Sequence, residues 1–396
     1  MLASAQLSAS SYAQTTWSIQ TVDYGHNTGW SSSLALDSSG YPCISYLNTS
    51  DELLYAGWNG SAWNIQKVDS KSSQNPSLAL DSNNNPCIGY RDRLNSVLKY
   101  ARQVGSEWNI QVIDHVGTEG VSLDLDSNGY PYLSYNNMSG GDMWNPPEGY
   151  LKIARWNGSA WSTQIVDSWG NWHPSLALDS NDVPCITYCS LEGGFLKYAK
   201  QAGSGWAYQT VDSNLEPNGH PSLVLDSNDN PCICYCDSNS GIVKYASWNG
   251  SAWNTQVVNW EDAGWQRSLA IDSNDKPCIS YFDQKTLVLK YAKWEGSAWN
   301  IQAVDSGLGL AGGNSLALDS DGNPRISYTY NEIGGAWNSA LRFAFLGGVV
   351  PEFPSIPVLF LSVMLISAFA LVLRKRARAV SVCDIRDIRV DTSMRE

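Results

Sequence analysis

The string Ser-Leu-Ala-Leu-Asp-Ser, or a close variant, occurs seven times, and its aspartates (Asp37, Asp81, Asp126, Asp179, Asp226, Asp272 and Asp319) stand 44 to 53 residues apart. A recurrence of that length means one small unit built seven times. In each unit the string leads into a turn such as Ser82-Asn-Asn-Asn-Pro86 and then a short apolar run such as Cys43-Ile-Ser-Tyr46. A variable loop follows, then a run such as Leu196-Lys-Tyr-Ala199, a Trp-Asn-Gly-Ser-Ala-Trp turn and a closing Trp-Asn-Ile-Gln-x-Val-Asp. Each unit therefore reads as four short strands, a to d, punctuated by Gly, Asn, Asp, Pro and Ser. Four strands per period in the mid-forties is the pattern of propeller blades.

The ends of the array decide how it closes. The chain opens with Thr15-Thr-Trp17 through Asp23, a strand d with no a, b or c before it, and closes with Ser315–Asp319, Arg325–Tyr328 and Leu341–Phe345, three strands with no d after them. Joining the two makes seven complete blades and removes the free sheet edges that invite aggregation. The expected fold is all-β: a seven-bladed β-propeller of four-stranded blades over residues 15–348, its last blade closed by the N-terminal strand.

Antiparallel strands send the d-to-a and b-to-c loops to one face and the a-to-b and c-to-d turns to the other. The second face is nearly the same in every repeat; the first differs in every repeat, and variable loops on a fixed scaffold are where activity sits. All four histidines (His26, His115, His173, His220) fall in d-to-a segments of that face. Aromatic planes stack on sugar faces while His and Arg donate hydrogen bonds, so Trp30, Trp172, His173, His220, Trp265 and Arg267 are the expected ligand-binding residues. Eleven of the 18 tryptophans instead begin strand d or sit in c-to-d turns, where packing between blades explains them.

Charge narrows the partners. The chain carries 25 basic and 38 acidic residues; from Arg374 onward there are seven and four, leaving 18 against 34 before it, a net of −16. No basic patch survives there to suit a nucleic acid. Residues Ile356–Leu373 form an uncharged apolar run of 18, long enough to span a bilayer, and Arg374-Lys-Arg-Ala-Arg378 follows. The basic cluster places residues 374–396 in the cytoplasm and the propeller outside the cell. Residues 349–355 read as a Pro-rich linker, and 1–14, with Ser11-Tyr-Ala13 as a cleavage site, as the remnant of a signal peptide or a disordered N-terminus.

Val350-Pro-Glu-Phe-Pro354, Ser355-Ile-Pro357 and the basic cluster resemble the PEF-type C-terminal sorting signal of archaeal surface proteins. That resemblance implies a surface-displayed protein; the 18 residues after Arg378 favour a retained helix over a processed one. The c-to-d turn falls where Asp-box (BNR) repeats of sialidase-like propellers carry Ser-x-Asp-x-Gly-x-Thr-Trp. Gly250 and Trp253 match that motif, and Trp248 stands where it has its Asp. The resemblance implies propeller architecture and no activity.

Other chemistry is weaker. Five of the nine cysteines (Cys43, Cys87, Cys185, Cys232, Cys278) occupy one strand-b position in different blades, too far apart to bridge, so buried thiols are expected. Turns such as Asp319-Ser-Asp-Gly-Asn323 lack the acidic ligands of a calcium loop, and neither metal nor cofactor is expected. Asp51, Asp92, Glu119, Glu148, Asp237 and Asp283 rim the variable face and keep a paired-carboxylate glycosidase open. The sequons at Asn48, Asn59, Asn137, Asn157 and Asn249 are expected in turns, as glycosylation sites. The expected function is a membrane-anchored recognition module for a surface glycan or an envelope protein; the alternatives are a structural envelope component and a polysaccharide hydrolase or lyase.

Overall fold

A computed structural model describes residues 16–24, 31–48, 50–70, 73–115, 120–138, 149–168, 171–190, 193–213, 220–237, 240–260, 263–307, 309, 313–331 and 339–346. The chain divides into two units, Met1–Gly348 and Val349–Glu396, and every described residue belongs to the first. The expected membrane segment 356–373 and the PEF-like stretch lie outside the described residues, as do residues 1–14 and the basic tail. Among the described residues no helix is long and apolar enough to cross a membrane.

The strands form seven four-stranded antiparallel sheets. Blade 1 comprises Ser32–Leu36, Pro42–Leu47, Leu53–Trp58 and Trp63–Asp69 as strands a to d. Blades 2 to 6 repeat this over residues 73–115, 121–168, 171–212, 222–259 and 263–306. Blade 7 supplies Asn314–Leu318, Pro324–Asn331 and Ser339–Phe345, and its outermost strand is Ser18–Tyr24. Ser18 pairs with Phe345 and Tyr24 with Ala340, so the orphan N-terminal strand completes the last blade as the repeat count requires.

The seven-fold string owes its serine to an inter-blade latch. Each Ser Oγ accepts the backbone N–H of the leucine in the next blade's strand a: Ser33 from Leu78, Ser77 from Leu123, and so on to Ser315 from Leu34, at 2.9–3.2 Å. Seven such bonds make a closed belt, and the last joins blade 7 to blade 1. The leucines that donate are themselves buried against the neighbouring blade.

A second belt runs further out. The strand-b tyrosine of one blade donates to the strand-d aspartate of the blade before it, as in Tyr46 to Asp23, Tyr135 to Asp114 and Tyr328 to Asp305, at 2.6–2.8 Å. In several blades a strand-c lysine joins the same carboxylate, for example Lys152 on Asp114 at 2.6 Å. The register of every c–d pair shifts just before that position, which is Asn259 in blade 5 and aspartate in the other six. Such a bulge lets the preceding residue, such as Val68 or Val166, enter the core while the aspartate reaches the next blade. In most blades the tryptophan that opens strand d packs edge-on against an aromatic ring of the previous blade's strand c, as Trp108 does on Tyr55 and Trp17 on Tyr291; in blade 4 Trp206 meets the cluster of Ile153 instead.

Candidate functional site: the axial mouth

Every strand a lies against the strand a of its neighbours, so the residues just before the seven serines meet around the axis on the variable face. They enclose a cavity of about 210 Å³. Its polar wall comes from Asn75, His173, His220, Gln266, Arg267 and Asn314, each in a different blade except the Gln266–Arg267 pair.

Local irregularity aims these side chains. In blades 2, 4 and 6 the register between strands a and b jumps at 74–77, 172–175 and 263–267. Asn75 and His173 occupy the first two of these bulges with φ of 49° and 50°. Each precedes a proline, which donates no N–H to a ladder, so the bulge absorbs a residue that could not pair. Left-handed backbone is uncommon outside glycine, though Asn and His tolerate it better than most residues.

The His173 and His220 rings stack with centroids 3.4 Å apart and planes 29° from parallel. Burial pushes the His173 imidazole down to about 4. Burial, then the charges on His173 and Arg267, push His220 well below the ordinary histidine value. Both rings are therefore neutral at pH 7, each with one N–H donor and one acceptor nitrogen. Arg267 is 6% exposed. Asn314 is fixed from both ends: its Nδ2 donates to the Gln266 carbonyl at 2.8 Å, and its Oδ1 accepts from Ser280 Oγ at 2.6 Å.

Of the residues expected to bind, His173, His220 and Arg267 line the mouth together. Trp172 does not; it lies in strand a of blade 4 (Asn171–Leu178), opposite Cys189, with its ring 5.7 Å from that of His173. Sequence patterning puts Trp172 and His173 in a loop. The structure corrects this: strand b of that blade runs on to Ser190 and supplies a pairing partner for Asn171. Trp265 belongs to strand a of blade 6 (Ala263–Ile271), its side chain outside the described residues, as is all of Trp30. His115 ends strand d of blade 2 and is exposed. The mouth residues Asn75, Gln266 and Asn314 escape sequence reasoning. Their only signal is position, one or two places before a serine that recurs seven times.

The rim acids fare differently from expectation. Asp92 and Asp283 are buried and held by Lys99 at 2.8 Å and Lys290 at 2.7 Å. Asp237 accepts from Ser240 in its own turn at 2.8 Å. Glu119 and Glu148 lie outside the described residues. The a-to-b turn aspartates are occupied as well: Asp37 Oδ1 accepts the N–H groups of Ser39 and Tyr41, both at 2.8 Å.

Among the sequons, Asn59, Asn157 and Asn249 sit exposed in c-to-d turns and accept backbone N–H groups through Oδ1, as Asn249 does from Ser251 and Ala252. Asn48 caps the b-to-c turn of blade 1. Asn137 departs from expectation: it lies in strand b of blade 3 (Pro131–Met138), because strand c begins early enough to pair it with Tyr150. Eight cysteines, including all five at the strand-b position, are buried free thiols; Tyr55 and Tyr291 donate to Cys43 and Cys278.

No family model matches the chain, and no curated protein matches it. Neither the Asp-box nor the PEF-type resemblance gains support from a family. Solved structures do match in fold. The Aleuria aurantia lectin, solved with Fucα1-6GlcNAc, is 10% identical with a TM-score of 0.54, covering 73% of this chain and 99% of its own. A polysaccharide lyase of the PL25 ulvan lyase type, solved with a GlcA(1-4)Rha3S fragment, is 11% identical with a TM-score of 0.53, covering 83% of this chain and 96% of its own. Identity this low shows a shared propeller architecture.

Proposed function

We propose that this protein is a surface recognition propeller that takes the end of a glycan chain into its axial mouth. The observation that carries the reading is the convergence of two neutral imidazoles, a guanidinium and three carboxamides on one small cavity, where the repeat itself demands none of them. Sugar hydroxyls both donate and accept, and a wall mixing donors with acceptors matches them. A cavity of about 210 Å³ suits a terminal ring, being smaller than the roughly 300–1,000 Å³ of drug-sized sites. Two propellers of similar fold were solved with sugars bound, which supports the reading. The apolar segment 356–373 would hold the propeller outside the cell, with residues 374–396 in the cytoplasm.

A glycan array probed with the full chain tests this. Hits are expected, and Gln266→Ala or His220→Ala should abolish them while the melting transition stays sharp. Hits that survive both changes would move the site elsewhere. A blank array with ordered self-association of the chain would favour an envelope role.

Cleavage of the bound glycan is a second reading, favoured by the neutral His173–His220 pair beside Arg267. A lyase needs a base to take a proton and a cation to steady the carbanion that results. Release of unsaturated chain ends from a uronate polymer would establish it. Binding without release would leave recognition as the function.

A further inference from the structure

We propose that the axial mouth selects acidic sugars, accepting a carboxylate or sulfate ester on Arg267 while the carboxamides and imidazoles take the ring hydroxyls. The inference rests on the glycan reading and names the class of glycan. Its first support is the sign of the lining. On a chain with 38 acidic and 25 basic residues, the described residues around the mouth include one arginine and no Asp or Glu. Of the described acids that sequence placed on the rim, Asp92 and Asp283 are buried in pairs with lysines of their own blades and Asp237 accepts from Ser240 in its own turn.

The second support is that Arg267 answers no need of the repeat. The same position in the other blades holds Ser32, Pro76, Val121, Pro174, Pro221 and Asn314, none of them charged. A guanidinium that is 6% exposed is expensive to keep away from water, and a blade can be built without it six times over. Its charge reaches across the cavity, since it disfavours protonation of His220 from the adjoining blade. The strand-a bulge at 263–267 sets the backbone just before it, and the Asn314 carboxamide is tied to the Gln266 carbonyl beside it. Fixed groups around a cation are what bidentate capture of a planar carboxylate or a sulfate requires.

The test is calorimetric titration of the full chain with tri-galacturonate, with its fully methyl-esterified form, and with a sulfated galactan trisaccharide. The ester keeps the skeleton and removes the charge. Tri-galacturonate or the sulfated trisaccharide is expected to bind at least about tenfold more tightly than the ester, and the arm that binds identifies the anion. Raising NaCl from about 50 mM to about 500 mM should weaken the acidic ligand and leave the ester unchanged. This measurement on the unaltered protein stands even if Arg267→Gln fails to fold. A folded Arg267→Gln chain should bind acid and ester alike. Equal binding of acid and ester by the unaltered protein, or array hits confined to neutral glycans, would overturn the acid selectivity and leave glycan recognition in place. No binding of any of the three, together with a blank array, would remove both.

Discussion

The two ends of strand a follow different rules. At the a-to-b end every blade repeats one design, in which an aspartate closes its own turn and a Ser of the turn often donates to the turn of the next blade, as Ser127 does to Asp182 and Ser227 to Asp275. At the other end, two residues before the latch serine, the seven blades carry Ser31, Asn75, Gly120, His173, His220, Gln266 and Gly313. One end is constrained by closure, which all blades share equally; the other faces a cavity that belongs to no single blade. The difference shows how a repeat protein acquires a unique site without losing its symmetry: the belts of hydrogen bonds sit one step away from the residues that vary.

If that division is right, damage to the belts should unfold the protein, and damage to the mouth should leave it folded and alter binding. The largest effect belongs to the closing strand. Removing residues 16–24 bares the whole edge of Ser339–Phe345, deletes the Trp17–Tyr291 contact and breaks the Asp23–Tyr46 bond. The loss should exceed the about 5–15 kcal/mol margin on which domains stand. A melting scan is expected to show no cooperative transition, with aggregation through the open edge. A sharp melt would mean that six blades and a fragment suffice, and closure would lose its place in the argument.

A smaller change separates one junction from another. Asp114 takes Tyr135 and Lys152, and though burial pushes its carboxyl up, those hydrogen bonds outweigh it and hold it below the usual carboxylate range. Between blades 5 and 6 nature has made the substitution already. Asn259 stands in the aspartate's place, its Nδ2 bonds Tyr281 at 3.0 Å, and Lys290 turns to Asp283 instead. Blade 3 has Asn137 where blade 6 has Asp283. Asp114→Asn alone should therefore strand Lys152 and destabilise by about 2–3 kcal/mol in urea unfolding. Adding Asn137→Asp should restore most of it. Additivity of the two changes would show that the junctions are not interchangeable.

Most of the architecture was legible because a propeller must repeat its own instructions. Strand count, blade count and the role of Trp17–Asp23 follow from where Ser-Leu-Ala-Leu-Asp-Ser begins and stops. The serine belt was hidden, since a recurring Ser before a leucine reads equally well as a strand edge. The mouth was half legible: His173, His220 and Arg267 stood out as rare residue types, while Asn75 and Asn314 look like ordinary turn residues in a chain full of Asn. Bulges were invisible, because strand a outlasts its usual length in blades 2, 4 and 6 without any change in hydrophobic pattern. The rim acids misled for a related reason; Asp92 and Asp283 are recognisable as buried only when the lysine opposite is known.

Acid titration sharpens the comparison furthest, because mouth and belts titrate in different windows. His173 is neutral in the fold down to about 4, whereas an unfolded histidine takes its proton near about 6.5. Between those values the unfolded chain binds more protons than the folded one, so stability falls as pH drops through that window. His220 adds to the same fall, its imidazole being depressed further. The belt carboxylates act lower. Asp114 and Asp212 are held below the usual range, so their contribution is present above about pH 4 and disappears as pH falls beneath it. His173 alone should account for about 2–3 kcal/mol between pH 6.5 and 4. His173→Asn copies the left-handed Asn75 that precedes Pro76 in blade 2, so the bulge survives the change. That variant should make the fall in the upper window shallower, leaving the part due to His220, keep the lower window intact and weaken glycan binding. An unaltered upper window would mean that the histidine pair does not set the acid response of the mouth.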